Sequence, residues 1–282
     1  MGRSPDAHAR AGGHARRMPE IRVNGTTLYY EQHGAGAPIL CIHGTGSSTA
    51  LWSRPAGELA GHGRTVVYDR RGFGHSERPR PFVCDVHQHA DDAAALIEAL
   101  GLAPAVVIGR SQGGEIAIDL ALRYPDRVRA LALLEGGGMS LSPEFVRWRD
   151  EFLEPVFAAG EADISKVGEV MFRAVLGDEV WESLPGTVRR VFVANSPAIL
   201  AEEKGAQLVV TEAELRTIDR PVLVVGARDS GPAFADVTVR TARAIPTARL
   251  AWVDGSHLID AAHPTVLAFV DEVVSAPAPL AR

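Results

Sequence analysis

Lysine is nearly missing from this 282-residue sequence: of 29 basic residues, only Lys166 and Lys204 are not arginine. Schiff-base or P-loop chemistry would have to use one of these two, and neither follows a glycine-rich loop. Cysteine is just as scarce. Cys41 and Cys84 are too few for a disulfide framework or a cysteine-rich zinc site. No apolar run approaches the roughly 18 residues of a membrane-spanning helix, and the N-terminal stretch lacks a secretory h-region. Positive charge is not in excess either. The net charge of −6 gives the chain no electrostatic reason to seek phosphate backbones or anionic membranes. These absences predict a cytoplasmic protein that binds neither nucleic acid nor membrane.

What is present is an ordinary globular composition, 46% hydrophobic and 23% charged, with length for one large domain or two small ones. Residues 1–18 are rich in Gly, Ala, Arg and His without apolar period and read as a disordered tail; residues 277–282 read as a frayed end. From Pro19 onward, β-branched runs alternate with helical patterns. A hairpin turns at Asn24-Gly25. PILCIHG, RTVVYD, APAVVIG and VRALALLE are strands separated by helices, and RPVLVVG and ARLAWVD resume the pattern near the end. Such alternation predicts an α/β fold with a mostly parallel sheet and helices on both faces. Between the two halves, residues 138–216 show helical periodicity and no convincing strand. Within 139–216 there are 14 acidic and 8 basic residues. The expected organisation is a core of 19–137 and 217–276 with a helical cap inserted at 138–216, over the strand ends where open α/β sheets bind ligands.

The strongest chemical signal is Gly109-Arg110-Ser111-Gln112-Gly113, between a strand and an amphipathic helix. In this context G-x-S-x-G places the serine on a sharp strand-to-helix turn with its hydroxyl exposed above the sheet, where the helix N-terminus favours developing negative charge. The bland reading, a chance five-residue match, does not account for the flanking strand and helix. His257, after the last strand, lies where a base can reach that serine. His43 reads as structural, His87 and His89 as helical, and His263 as a helix start. The base needs a carboxylate to fix its tautomer. Asp229, after PVLVVGAR, is favoured because chain order Ser–Asp–His is common; Glu135, ending VRALALLE, is the alternative. Asp254 and Asp260 fit loop and helix-start positions. Thr45 and Gln112 are expected to supply the backbone N–H groups of an oxyanion hole.

Taken together, His43-Gly44-Thr45-Gly46, the turn Asp69–Ser76, the G-x-S-x-G segment and Gly255-Ser256-His257 resemble the α/β-hydrolase superfamily over about residues 20–275. The resemblance implies an eight-stranded, mostly parallel sheet and a Ser–His–Asp/Glu triad, with Asp69 in a structural turn. Epoxide hydrolases and haloalkane dehalogenases use an aspartate where this chain has Ser111. Cap tyrosines assist epoxide opening, yet all four tyrosines here lie outside residues 138–216. A lactone-hydrolysing branch places its acid after the strand that ends at Glu135, so the acid stays open. The expectation is a serine hydrolase cleaving a small carboxylic ester or lactone through an acyl-enzyme, as a monomer or homodimer and without metal or organic cofactor. A perhydrolase, lyase or ligand receptor on the same fold is the alternative. A dinucleotide-binding unit at Gly44-Thr45-Gly46 is the reading from another class. It lacks a third glycine, since residue 49 is threonine, and it leaves Ser111 and His257 without a role.

Overall fold

The computed structural model describes residues 19–80, 82 and 84–277; the tail expected at 1–18 and most of the C-terminal end lie outside them. Strands β1 (Glu20–Val23) and β2 (Thr26–His33) form the expected hairpin. Asn24 and Gly25 both take positive φ, 44° and 75°, as a two-residue turn that matches strand twist requires. The remaining strands are β3 (Pro38–Ile42), β4 (Arg64–Tyr68), β5 (Ala105–Arg110), β6 (Val128–Leu134), β7 (Val222–Ala227) and β8 (Ala248–Val253). They form one eight-stranded sheet in the order β1-β2-β4-β3-β5-β6-β7-β8. Pairing is antiparallel for β1–β2 and β2–β4 and parallel from β4 to β8.

The central sheet is covered on both faces, so β3, β5, β6 and β7 are almost wholly apolar and alternate between two cores. Leu40, Val66, Val107, Leu131, Leu133 and Val224 face one core, with α2 (Val86–Ala99) and α3 (Gln112–Arg123). Ile39, Cys41, Val67, Ile108, Ala132 and Val225 face the other, with α1 (Ser53–Leu59) and α11 (Pro264–Ser275). The helix α10 (Pro232–Ala244) lies between β7 and β8 in sequence. His263 is the N-cap of α11, its ring nitrogen accepting from Thr265 N–H.

Between β6 and β7 the chain forms six helices: α4 (Pro143–Ala162), α5 (Val167–Leu176), α6 (Asp178–Ser183), α7 (Gly186–Ala194), α8 (Ser196–Lys204) and α9 (Glu212–Leu215). They bury a core of their own, in which Phe172 stacks on Phe192 beside Trp181, and Phe73 and Cys84 from the sheet side join it. Polar contacts tie this segment to the strand ends. Arg70, fully buried, pairs with Glu202 of α8 and lies over the Phe73 ring. Asn195 donates to the carbonyls of Gly46 and Ser47 and accepts from Gly74 N–H. No described helix is long and apolar enough to cross a membrane.

Candidate active site

The site begins with a backbone compromise. β5 ends at Arg110 and α3 starts at Gln112, leaving Ser111 alone to reverse the chain, with φ 54° and ψ −125°. A serine held in this region costs on the order of 1–3 kcal/mol, which surrounding structure must offset. The turn closes because its flanking residues lack side chains. A Cβ on Gly109 would lie 2.3 Å from the Gly113 carbonyl oxygen, and one on Gly113 would lie 2.2 Å from that of Ile42. Gln112 is the first residue of α3, so its N–H is one of the first-turn groups without an intrahelical acceptor. Thr45 follows β3 on the loop beside the serine; a Cβ on Gly44 would meet the Ser111 Cβ at 3.0 Å. Both Thr45 and Gln112 border the cavity that contains Ser111.

His257, 4% exposed, sits in the loop after β8. Its Nε2 is 2.9 Å from the Ser111 hydroxyl and its Nδ1 2.9 Å from a carboxylate oxygen of Glu135. Phe234 packs against the imidazole, ring centroids 4.1 Å apart. Glu135 follows β6 with φ 43°. Its other oxygen accepts from Ala227 N–H at 2.8 Å, and the Ser230 hydroxyl donates to the oxygen nearer the histidine at 2.6 Å. A carboxylate 1% exposed is thus supplied with three donors, as a buried charge requires.

Asp229, the acid favoured from sequence, is not brought to His257. It is exposed, two residues beyond the end of β7, and its carboxylate accepts from Gly255 N–H at 3.2 Å while its own N–H donates to Gly255 carbonyl. β7 lies between β6 and β8, so the ends of both acid-bearing strands lie near the histidine loop. Glu135 directly follows β6 and turns its carboxylate to His257, whereas Asp229 lies two residues past β7 and turns to the Gly255 backbone. Among the described residues, only Asn24, Ser111 and Glu135 are non-glycine residues with positive φ. Two of the three belong to this site, a signal that sequence does not display.

His43 and Asp69, also singled out in sequence, have structural partners. His43 is buried and accepts from Arg70 N–H at 3.0 Å; burial holds its imidazole well below the usual range and the Arg70 charge adds to this. Asp69 accepts from Thr49 N–H at 2.6 Å and His75 N–H at 2.7 Å, fixing the Asp69–Ser76 turn. In the Gly44–Gly46 segment, a Cβ on Gly44 would meet the Ser111 Cβ at 3.0 Å and one on Gly46 the Phe172 ring at 2.6 Å, so these glycines serve close packing at the serine.

Ser111, His257, Thr45 and Gln112 share a cavity of about 210 Å³. Phe145, Trp148, Phe152, Phe172 and Phe192, all from the inserted helices, form much of its wall. Glu115, Arg149, Glu203 and Gln207 also line it. These four carried no motif, and the apolar surroundings that make them notable appear only when the helices pack.

A strand-borne serine, a loop histidine and a strand-end carboxylate on an eight-stranded sheet define a hydrolase architecture, and the family comparison agrees. The family model for the alpha/beta hydrolase fold matches residues 37–263, and the chain belongs to this family. Among curated relatives it is 30% identical over 271 residues to a putative carbamate hydrolase, RutD, of Azorhizobium caulinodans, spanning 88% of this chain and 95% of the relative. Among solved structures it resembles the enol-lactonase of Burkholderia xenovorans LB400, with TM-score 0.70 and 27% identity, covering 91% of this chain and 98% of that one. It also resembles Est816, described as an N-acyl homoserine lactone degrading enzyme, with TM-score 0.69 and 25% identity over 91% and 99% of the two chains.

Proposed function

We propose that this hydrolase cleaves a small carboxylic ester or lactone through a covalent acyl-enzyme. The carrying observation is the continuous hydrogen-bond relay from Ser111 through His257 to Glu135, each contact 2.9 Å. In the proposed cycle, the Ser111 hydroxyl oxygen attacks the carbonyl carbon as His257 Nε2 takes its proton. Glu135 holds the ring with Nδ1 protonated and stabilises the imidazolium. The N–H groups of Thr45 and Gln112 receive the oxyanion, aided by the α3 N-terminus. His257 returns the proton to the leaving alkoxide, then takes one from water as it attacks the acyl-enzyme, and finally gives it to the Ser111 oxygen as the bond to the acyl group breaks and the acid leaves. Glu135 thus replaces Asp229 as the orienting acid in this reading.

The inserted helices act as the cap, and their aromatic wall favours an apolar acyl or alcohol portion. A carbamate offers the same reacting carbonyl, and the relative that spans nearly the full chain supports it as the second reading. A receptor that retains the set would bind such a ligand without turnover. The decisive assay uses p-nitrophenyl esters of graded chain length and a lactone series. Wild-type protein should release product and accumulate an acyl adduct visible by intact mass. Ser111→Ala should lose both, with turnover falling by at least ~10⁴-fold. Full activity in that variant would refute the mechanism, and turnover without an adduct at Ser111 would refute the covalent step.

A further inference from the structure

The cavity wall is chemically uneven. Glu115 lies one helical turn beyond Ser111 on α3, about 6 Å along the axis. It is 2% exposed yet borders the cavity. Across from it, Arg149 of α4 donates to Glu203 of α8 at 3.0 Å, with side chains 23% and 7% exposed. Arg149 is therefore already engaged. Among the described residues, Glu115 has no salt bridge; it accepts a hydrogen bond from the Met139 backbone and feels the Arg149 charge. A leucine here would avoid the desolvation that burying a carboxyl group costs. Within this largely apolar cavity, Glu115, Arg149, Glu203 and Gln207 supply polar groups to the wall, the Gln207 amide nitrogen donating to the Glu202 carbonyl and leaving its amide oxygen as acceptor.

We propose that Glu115, Arg149, Glu203 and Gln207 form a selecting subsite for an uncharged polar group, a carboxamide or hydroxyl, carried by the substrate several atoms from the reacting carbonyl. The charges argue for neutrality. Arg149 and Glu203 satisfy each other, and the next carboxylate, Glu202, is paired with Arg70. In this corner a substrate carboxylate would meet guanidinium groups already engaged by Glu203 and Glu202. Burial pushes Glu115 up to about 8 and Glu203 up to about 7, with Arg149 opposing both shifts. Protonated Glu115 presents one donor and one acceptor side by side, the complement of a carboxamide. This subsite belongs to the site of the proposed ester hydrolysis and deepens that reading.

Binding to the Ser111→Ala protein, measured by calorimetry, separates the subsite from catalysis. The probes are ethyl hexanoate and derivatives whose chain ends in carboxamide, ammonium or carboxylate, plus a matching set of acetate esters substituted on the alcohol chain. In one of the two sets the carboxamide should bind about five- to tenfold more tightly than the methyl-ended parent, the gain of a net hydrogen bond or slightly more. Adding Glu115→Leu should abolish that preference, whereas Glu115→Gln should retain it. No preference in either set, tightest binding of a charged probe, or a preference that survives Glu115→Leu would overturn the proposal. Should wild-type protein hydrolyse no ester while the preference persists, the hydrolase reading falls and the subsite stands.

Discussion

The sheet edge and the helices above it meet at one cavity but are built by different rules. At the edge, each candidate group follows a strand: Ser111 after β5, Glu135 after β6, Thr45 after β3, His257 after β8. Parallel pairing through the β4–β8 stretch fixes those ends relative to one another, and glycines set how closely the turns approach. In the helical segment, position follows from packing of aromatic side chains and a few buried polar ties, none of which has a fixed spacing. The edge holds strain at two residues; the contact between segment and core holds buried ionisable groups at Arg70–Glu202 and Glu115. One region stores its cost in backbone angles and the other in desolvation.

Three variants test this contrast, from the largest effect to the smallest. Ser111→Ala should cost at least ~10⁴-fold in turnover while unfolding free energy in urea stays within about 1 kcal/mol of wild type, because the lost group is a reactive hydroxyl and the turn is retained. Arg70→Met acts on the opposite quantity. It strands Glu202 in the interior, so stability should fall by about 3–5 kcal/mol, and adding Glu202→Leu should recover much of the loss. If Arg70→Met were neutral, the polar tie between segment and sheet would carry no weight.

The third variant, Glu115→Gln, has a pH signature. The folded state holds this carboxyl protonated up to about 8, against an ordinary value of 4.5. Between those values the unfolded chain has released the proton and the folded chain has not. Wild-type stability therefore falls through this group as pH rises from about 4.5 to 8 and levels off above. Glutamine removes that slope. Its advantage in melting temperature should be near zero at pH 4.5 and grow toward pH 8, with Arg149, Glu202 and Glu203 unchanged in both proteins. An advantage that does not vary with pH would mean that Glu115 is not buried as an acid.

The same contrast explains what was legible in the sequence. Strand–helix alternation exposed the fold, and the G-x-S-x-G turn with the loop after the last strand pointed to Ser111 and His257, which the structure places 2.9 Å apart. The inserted helices were visible as a change of period. The choice between the two acids was not readable, since Asp229 and Glu135 both follow buried strands and what separates them is where each loop turns its carboxylate. That placement depends on contacts between distant segments. Glu115 was equally silent: on α3 it reads as one more polar residue on an amphipathic helix, and its burial is created by α4 and α8.

The central claim is that Glu135, and not Asp229, orients His257 toward the serine. Measuring kcat on one p-nitrophenyl ester for Glu135→Gln and Asp229→Asn, side by side, tests it most directly. Glu135→Gln should lower kcat by about 10³–10⁴-fold, as loss of the orienting carboxylate does in serine triads, and Asp229→Asn by less than about tenfold. The reverse order, or equal small losses, would contradict the account.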